Sequence, residues 1–381
     1  MKFRTLDDLK LNGKRVLLRV DLNSDLIDGK ITESDRIKEH AKTIKELLYK
    51  KARVVIIAHQ GNPGKDKCTS LKKNAEFLKK YVKVKFIDET IGKKSWASIS
   101  ALKNGEALLL ENVRFLSDEY KPSTNNAFVN FMEEVGFDYY INDAFSVCHR
   151  NQTSIVSFPK IFPHAIGRVM EAELKNIEKL KLKNCLFILG GSKTSDLIPL
   201  LKKRKILTTG KLSLLCLIAR GFNLGKENEL LKKDFSLLKK IKKNLSHIKT
   251  PNDLAINFNS KRKELSIEEF PQKYAVWDIG ERTINEYKNE IKKAKVIFFK
   301  GSPGMFEYKE FEKGTREILK AISNSKAFSV IAGGQSSDAI KKFKIPKNKF
   351  SYISLSGGAL VSYLAGEKLP GLEALSHPRK S

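Results

Sequence analysis

The chain has only four cysteines in 381 residues, Cys68, Cys148, Cys185 and Cys216, and no Cys-x-x-Cys pair. That spacing argues against a disulfide framework or a cysteine-built zinc site and reads as reduced thiols of a cytosolic protein. Long apolar runs are missing too. The longest, such as 107–110 and 52–58 with its internal arginine, have strand length, far below the roughly 20 residues a membrane span needs. The N-terminal segment MKFRTLDDLK carries early acidic residues and no apolar stretch of signal-peptide length. There is no low-complexity tract, short-period repeat, zinc finger, Gly-Arg repeat or aromatic-interleaved RNA motif. The phosphate loop of nucleotide hydrolases is absent as well, because Ser192 separates Gly191 from Lys193 and Phe187 stands where its first glycine belongs. These absences predict a cytoplasmic globular protein with no membrane attachment.

What is abundant is positive charge: 72 Lys and Arg against 43 Asp and Glu, a formal net charge of +29. Clustered lysines bind nucleic acid by neutralising phosphates and releasing counterions. Here they are spread over nearly every predicted helix face and form no basic tail. A nucleic-acid partner is therefore disfavoured, and substrates that are themselves polyanions account for the charge equally well.

The length exceeds what one core ordinarily serves, and 41% hydrophobic residues suffice for two. Strand-like runs near 15–22, 53–59, 83–88, 106–113 and 137–144 alternate with helix-period segments at 35–50, 71–81 and 125–135. The alternation resumes with strands near 184–190, 205–209, 294–300, 328–332 and 350–355, and helices at 211–219, 281–293, 308–323 and 357–364. The prediction is an α/β protein of two doubly wound, mainly parallel-sheet, Rossmann-like domains. The expected division is 1–165, a charged interdomain helix within 166–183, 184–360, and a segment 361–381 returning toward the first domain. Lysine-dense 227–249 reads as one or two solvated amphipathic helices.

In open parallel sheets ligands bind beyond the carboxyl ends of the strands. In the first half those ends carry Asp21 and Asn23, then His59-Gln60-Gly61-Asn62-Pro63-Gly64, then Glu111, Asn112 and Arg114, then Asn142, Asp143, His149 and Arg150. Asp and Asn are common turn formers and a lone His is more often structural. Four such ends together point to a small anion. The second half offers glycines and hydroxyls instead: Gly190-Gly191-Ser192-Lys193, Thr208-Thr209-Gly210, Gly301-Ser302-Pro303-Gly304, Gly333-Gly334-Gln335-Ser336-Ser337 and Ser354-Leu355-Ser356-Gly357-Gly358. Turns of this kind aim backbone N–H groups and positive helix ends at phosphates, so the expectation is a nucleotide.

These segments resemble the phosphoglycerate kinase family from Arg15 to Leu375. Arg19-Val20-Asp21-Leu22-Asn23 is similar to its RVDFN, Asp35-Arg36-Ile37 to DRRI, and Leu109-Leu110-Glu111-Asn112-Val113-Arg114-Phe115 to LLENxRF. The stretches 58–64, 142–150, 207–225, 304–315 and 364–371 resemble SHxGRP, DAFGxAHR, LTGGLxxxFLxxxGxxLG, GxFE...FxxGT and LxGKxLPG. Gly190-Gly191-Ser192-Lys193-Thr194-Ser195-Asp196 resembles GGAKVSD.

The resemblance implies reversible phosphoryl transfer between 1,3-bisphosphoglycerate and MgADP, giving 3-phosphoglycerate and MgATP, a glycolytic step. It implies no tightly bound organic cofactor, and a monomer whose hinge brings two sites together. By position, Asp21, Asn23, Arg36, His59, Gly61, Arg114 and Arg150 would hold phosphoglycerate, with Arg36 also neutralising the attacking carboxylate. Lys193 would follow the transferred group, helped by the backbone of Gly357 and Gly358. Gly191, Gly210, Gly304, Glu307, Gly333, Gly334, Gln335, Ser336 and Ser337 would serve the nucleotide. No side chain is assigned to the metal.

Four positions depart from the family pattern. Asn62 replaces an arginine, Leu197 a nucleotide-binding lysine, Lys300 and Ser302 an Asn and a Pro, and Gln335 the aspartate expected near magnesium. Lys300 is the candidate to return the charge lost at Leu197. Two further readings stay open: a relative that binds ligand without turnover, and a basic nucleic-acid-binding protein on the same fold.

Overall fold

The computed structural model describes residues 3–27, 29–62, 68–203 and 205–376. Pro63 and Gly64 of the loop after the second predicted strand lie outside these residues, as do 377–381 at the end of the predicted C-terminal segment. The chain divides into two compact units, Met1–Lys175 with Lys368–Ser381, and Asn176–Glu367, the division falling inside the helix Arg168–Glu178. Each is built on its own six-stranded parallel sheet, the α/β architecture that the alternating pattern predicts.

The first sheet runs Lys85–Phe86, Ala107–Leu109, Arg53–Ile57, Arg15–Arg19, Tyr139–Asn142, His164–Ile166, all pairs parallel. Val16, Leu17 and Leu18 are wholly buried, because helices cover both faces of such a sheet and leave no polar alternation. On one face Val16, Leu18 and Val20 meet Ile37, Ala41, Ile44 and Leu47 of the helix Asp35–Tyr49. Their spacing puts those four side chains on one stripe. Arg19 pairs with Ile57 on one side and Asn142 on the other, so three central loops start at one level. The helix Pro370–Leu375 closes this unit: Gly371 N donates to Cys148 O at 2.9 Å, beside the loop that carries Arg150.

The second sheet runs Ile248–Lys249, Ile206–Thr208, Cys185–Leu189, Val296–Lys300, Phe328–Ala332, Tyr352–Ser354, again all parallel. Ile188, Ile297, Phe299 and Ile331 pack with Ile284, Tyr287 and Ile291 of Glu281–Lys293 and with Ile318 and Ile322 of Lys313–Ser323. All five glycine- and hydroxyl-rich turns therefore emerge at one edge.

Several elements differ from expectation. An antiparallel sheet of Lys261–Ser266, Asp253–Phe258 and Val276–Ile279 stands beside the second parallel sheet. Its strand Lys-Arg-Lys-Glu-Leu-Ser is too charged to show apolar alternation. The segment after Thr194 forms a 3-10 helix, Ser195–Lys202, with Pro199 inside it, because proline cannot supply the N–H that an α-helix needs there. Residues 227–249 break into the short helices Lys226–Leu230 and Leu238–Lys242 with 3-10 turns between and after them, then an edge strand. Regular helix in 308–323 begins only at Lys313. Among the described residues, no helix is long and apolar enough to cross a membrane. Among the described residues no disulfide joins the four cysteines, and burial pushes the thiols of Cys148, Cys185 and Cys216 up to about 12.

Candidate active site

The carboxyl edge of the first sheet gathers Asp21, Asn23, Arg36, His59, Gly61, Arg114 and Arg150. Asp21 is buried, which alone would raise its pKa. Arg36, whose Nε lies 3.4 Å from Asp21 Oδ2, His59 and the donating Ser146 hydroxyl outweigh that and hold the carboxyl well below the usual range. Arg36 Nη1 also donates to Asn23 O at 3.0 Å, while Asn23 Oδ1 accepts from Gly61 N at 2.8 Å. One arginine and one asparagine thus tie the first loop to the second.

His59 is buried, and its pKa is pushed far down, first by desolvation and then by Arg19, with Arg114 and Arg150 adding to the shift against Asp21. The ring is neutral at physiological pH. Its Nδ1 faces the Arg19 Nη2 donor at 3.2 Å, which leaves the proton on Nε2. Arg114 donates from Nη1 to Gly61 O, and its Nε and Nη2 are buried with no hydrogen-bond partner among the described residues. Burial, Arg150 and Arg19 together lower its pKa to about 10. Buried donors without acceptors cost free energy until an anion arrives. Arg150 Nη1 donates to Asn62 Oδ1 at 2.9 Å, so the residue that replaces the family's arginine positions another arginine.

Two supporting residues escaped sequence reasoning. Arg19 is completely buried at the end of its strand, with Nε donating to Ser154 Oγ at 2.9 Å, and the Ser154 hydroxyl donates in turn to Glu119 Oε1 at 2.7 Å. His40 lies in the apolar stripe of Asp35–Tyr49, where a histidine reads as core. Its Nε2 accepts from Asp21 N at 3.2 Å and its Nδ1 donates to Asp143 Oδ2 at 2.9 Å. Asp143 Oδ1 in turn accepts from Val169 N and Met170 N, at 2.8 and 3.2 Å, in the first turn of Arg168–Glu178. The imidazole joins the anion rim to a helix start. Replacing His40 by Ala should lower the unfolding free energy by about 1–3 kcal/mol, since it leaves a buried N–H and a buried carboxylate oxygen unpaired. Urea titration checks this, and an unchanged midpoint would show that the contact contributes nothing.

In the second unit the helices Gly210–Ala219, Gly334–Lys342 and Gly357–Leu364 start at the sheet's carboxyl edge, none with a side-chain cap. Their positive ends suit an anion. Backbone packs closely beneath them: Gly191 N donates to Ser302 O at 3.1 Å and Gly210 N to Pro303 O at 3.1 Å. Gly301 has φ +88°, and a Cβ there would overlap the Gly190 carbonyl, so only glycine fits. Lys193 stands exposed above this floor, with Gln335 and Gly358 also exposed. Ser336 is buried, accepting from Gly301 N at 3.2 Å and donating to Ala332 O at 3.0 Å. Ser337 Oγ is 3.5 Å from Gly333 O, and open space surrounds Gly333 and Gly334.

Glu307 is exposed at the end of a loop fixed from below. Gly304 N donates to Thr315 Oγ1 at 3.2 Å and Met305 N to Trp277 O at 2.8 Å. Asp278 Oδ2 accepts from Gly314 N at 2.7 Å and Arg262 Nη1 at 2.8 Å. Leu197 is 1% exposed, so its side chain belongs to the core and not to the rim where the family's lysine was expected. Among the described residues, no three His, Cys, Asp or Glu side chains are grouped to hold a metal ion.

Two six-stranded parallel sheets, each with polar residues and glycine turns at its carboxyl edge, define an α/β protein. The phosphoglycerate kinase family model matches residues 6–367. The chain is 40% identical to a phosphoglycerate kinase of Methanothermus fervidus, over 100% of this chain and 98% of that one. It is 39% identical to one of Sulfurisphaera tokodaii, over 97% and 95%. The crystal structure of phosphoglycerate kinase from Pyrococcus horikoshii is similar with a TM-score of 0.90 and 35% identity, over 98% of each chain. The chain belongs to the phosphoglycerate kinase family, and is by that membership a kinase.

Proposed function

We propose that the protein catalyses reversible phosphoryl transfer between 1,3-bisphosphoglycerate and MgADP, yielding 3-phosphoglycerate and MgATP. In the reverse direction a carboxylate oxygen of 3-phosphoglycerate attacks the terminal phosphorus of ATP, and the bond from that phosphorus to ADP breaks. The observation that carries the reading is the cluster of Arg114 and Arg150 around neutral His59, joined through Asp21 to Arg36, with Arg114 donors lacking acceptors. Arg114, Arg150 and His59 would hold the substrate's phosphate, Asp21 and Asn23 its hydroxyl and carboxylate end, and Gly61 the loop between them. Arg36 would neutralise the attacking carboxylate.

Lys193 would track the transferred group, with helix-end N–H groups at Gly357 and Gly358 beside it. Glu307 would meet the ribose hydroxyls. The turns at Gly191, Gly210, Gly304 and 333–337 would line the nucleotide, and magnesium would arrive bound to its phosphates. No side-chain nucleophile is required, because such transfers are catalysed by positioning and charge neutralisation.

The test is a coupled assay of the purified chain with MgATP and 3-phosphoglycerate. Product formation far above a Lys193→Ala control is expected. Turnover no greater than that control would overturn the reading.

A further inference from the structure

Lys300 is the last residue of the Val296–Lys300 strand, paired in register with Leu189 on one side and Ala332 on the other. Each partner runs directly into a glycine turn, Gly190-Gly191 or Gly333-Gly334. The lysine thus stands in the middle of the edge that three helix starts face. Its half-buried side chain reaches across to the last of them, where Nζ donates to Gly357 O at 3.1 Å. Among the described residues no carboxylate lies within ion-pair distance of this ammonium, which has three protons to donate and one neutral acceptor.

Desolvation pushes the Lys300 pKa down; of the nearby charges Asp196 opposes that shift, and Lys193, with a smaller effect, adds to it. Two lysines therefore sense one another across the rim. Gln335 contributes an uncharged amide, and the Ser336 hydroxyl is occupied on both sides by backbone. A partly desolvated cation with an unused pair of protons is stabilised when an anion enters.

We propose that Lys300 is a phosphate-binding residue of this rim, forming with Lys193 a two-lysine clamp on the terminal phosphates of the nucleotide. This protein's hold on those phosphates then depends little on divalent metal. The proposal rests on the nucleotide reading above. It adds a fixed cation at the strand position where the family pattern has Asn, and it accounts for the neutral residue at 335.

Titration calorimetry of the full chain with ADP, once in excess EDTA and once in excess magnesium, tests it, with adenosine as the ligand that has no phosphate. The wild type should bind ADP with affinities that differ by less than about tenfold between the two conditions. Lys300→Met should weaken metal-free ADP by about tenfold or more, weaken MgADP less, and leave adenosine unchanged. Lys300→Arg should retain most of the affinity. A readout in the unmutated protein guards against misfolding: after reductive 13C-methylation of lysines, the Lys300 resonance should titrate at higher pH with ADP bound. Unchanged ADP affinity in Lys300→Met, or a Lys300 resonance indifferent to ADP, would overturn the clamp while leaving the nucleotide site intact. Failure of the wild type to bind either adenosine or ADP would instead remove the functional reading beneath it.

Discussion

Lys193→Ala should lower kcat by about two to three orders of magnitude while changing KM for either substrate by less than about tenfold. Lys193 has no hydrogen bond or ion pair to a described residue, so its removal disturbs no packing and should cost no more than about 0.5 kcal/mol of stability. Beneath it, the Gly191 N to Ser302 O bond and the close approach of Gly301 to Gly190 fix the loop without the lysine's help. What is lost is a cation that can follow negative charge on the transferring phosphoryl group, where interaction counts most in the transition state. Steady-state kinetics beside a denaturation curve separates the cases. A large rise in KM at unchanged kcat would make Lys193 a ground-state binder and remove its proposed role.

Lys300 changes how that result is read. If both ammonium groups grip the same phosphates, the double variant should lose less than the sum of the two single losses, because residues that share a ligand are coupled. Additive losses would mean that they act on separate charges.

How far the sequence reveals this site depends on whether a residue's partners lie near it in the pattern. The buried strands show themselves because parallel sheets need continuous apolar runs, and the glycine turns because each directly follows one. Arg36 and Asp21 could be found at a strand end and a helix start. Arg19 and His40 could not: each sits where the apolar pattern predicts core, and each acts through residues more than a hundred positions away, Ser154 and Asp143. Asn62 looked like a lost cation, but whether it supports Arg150 depends on a separation of 88 residues that no local signal carries. Leu197 misled in the opposite sense. Its side chain turns inward from the 3-10 helix Ser195–Lys202, a burial that matching the motif by position does not reveal. The strands His164–Ile166 and Ile248–Lys249 are too short for any period to register.

Asp278→Asn should destabilise the second unit by an amount that depends on pH. The wild-type carboxyl is buried and desolvated, which raises its pKa to about 6 although Arg262 and the Gly314 N–H favour its ionised form. A folded-state pKa above the ordinary carboxylate value means the native protein binds the proton more tightly than the unfolded chain. The resulting stabilisation is complete below about pH 4 and disappears as pH rises through about 6, a change of about 3 kcal/mol. Asparagine cannot titrate, so the wild type's advantage over Asp278→Asn should be largest in acid, shrink between about pH 4 and 6, and stay level above. At neutral pH the variant puts a neutral amide beside Arg262 where the desolvated carboxylate stood, an exchange that changes stability little because burial already offsets most of the pair's attraction. The loop that carries Glu307 rests on the same support through Gly304 and Gly314, so KM for the nucleotide should rise while KM for phosphoglycerate holds. Urea unfolding of both proteins at several pH values, with kinetics at pH 7, measures each part. A stability difference independent of pH would show that Asp278 stays ionised in the fold, and equal KM changes for both substrates would separate it from the Glu307 loop.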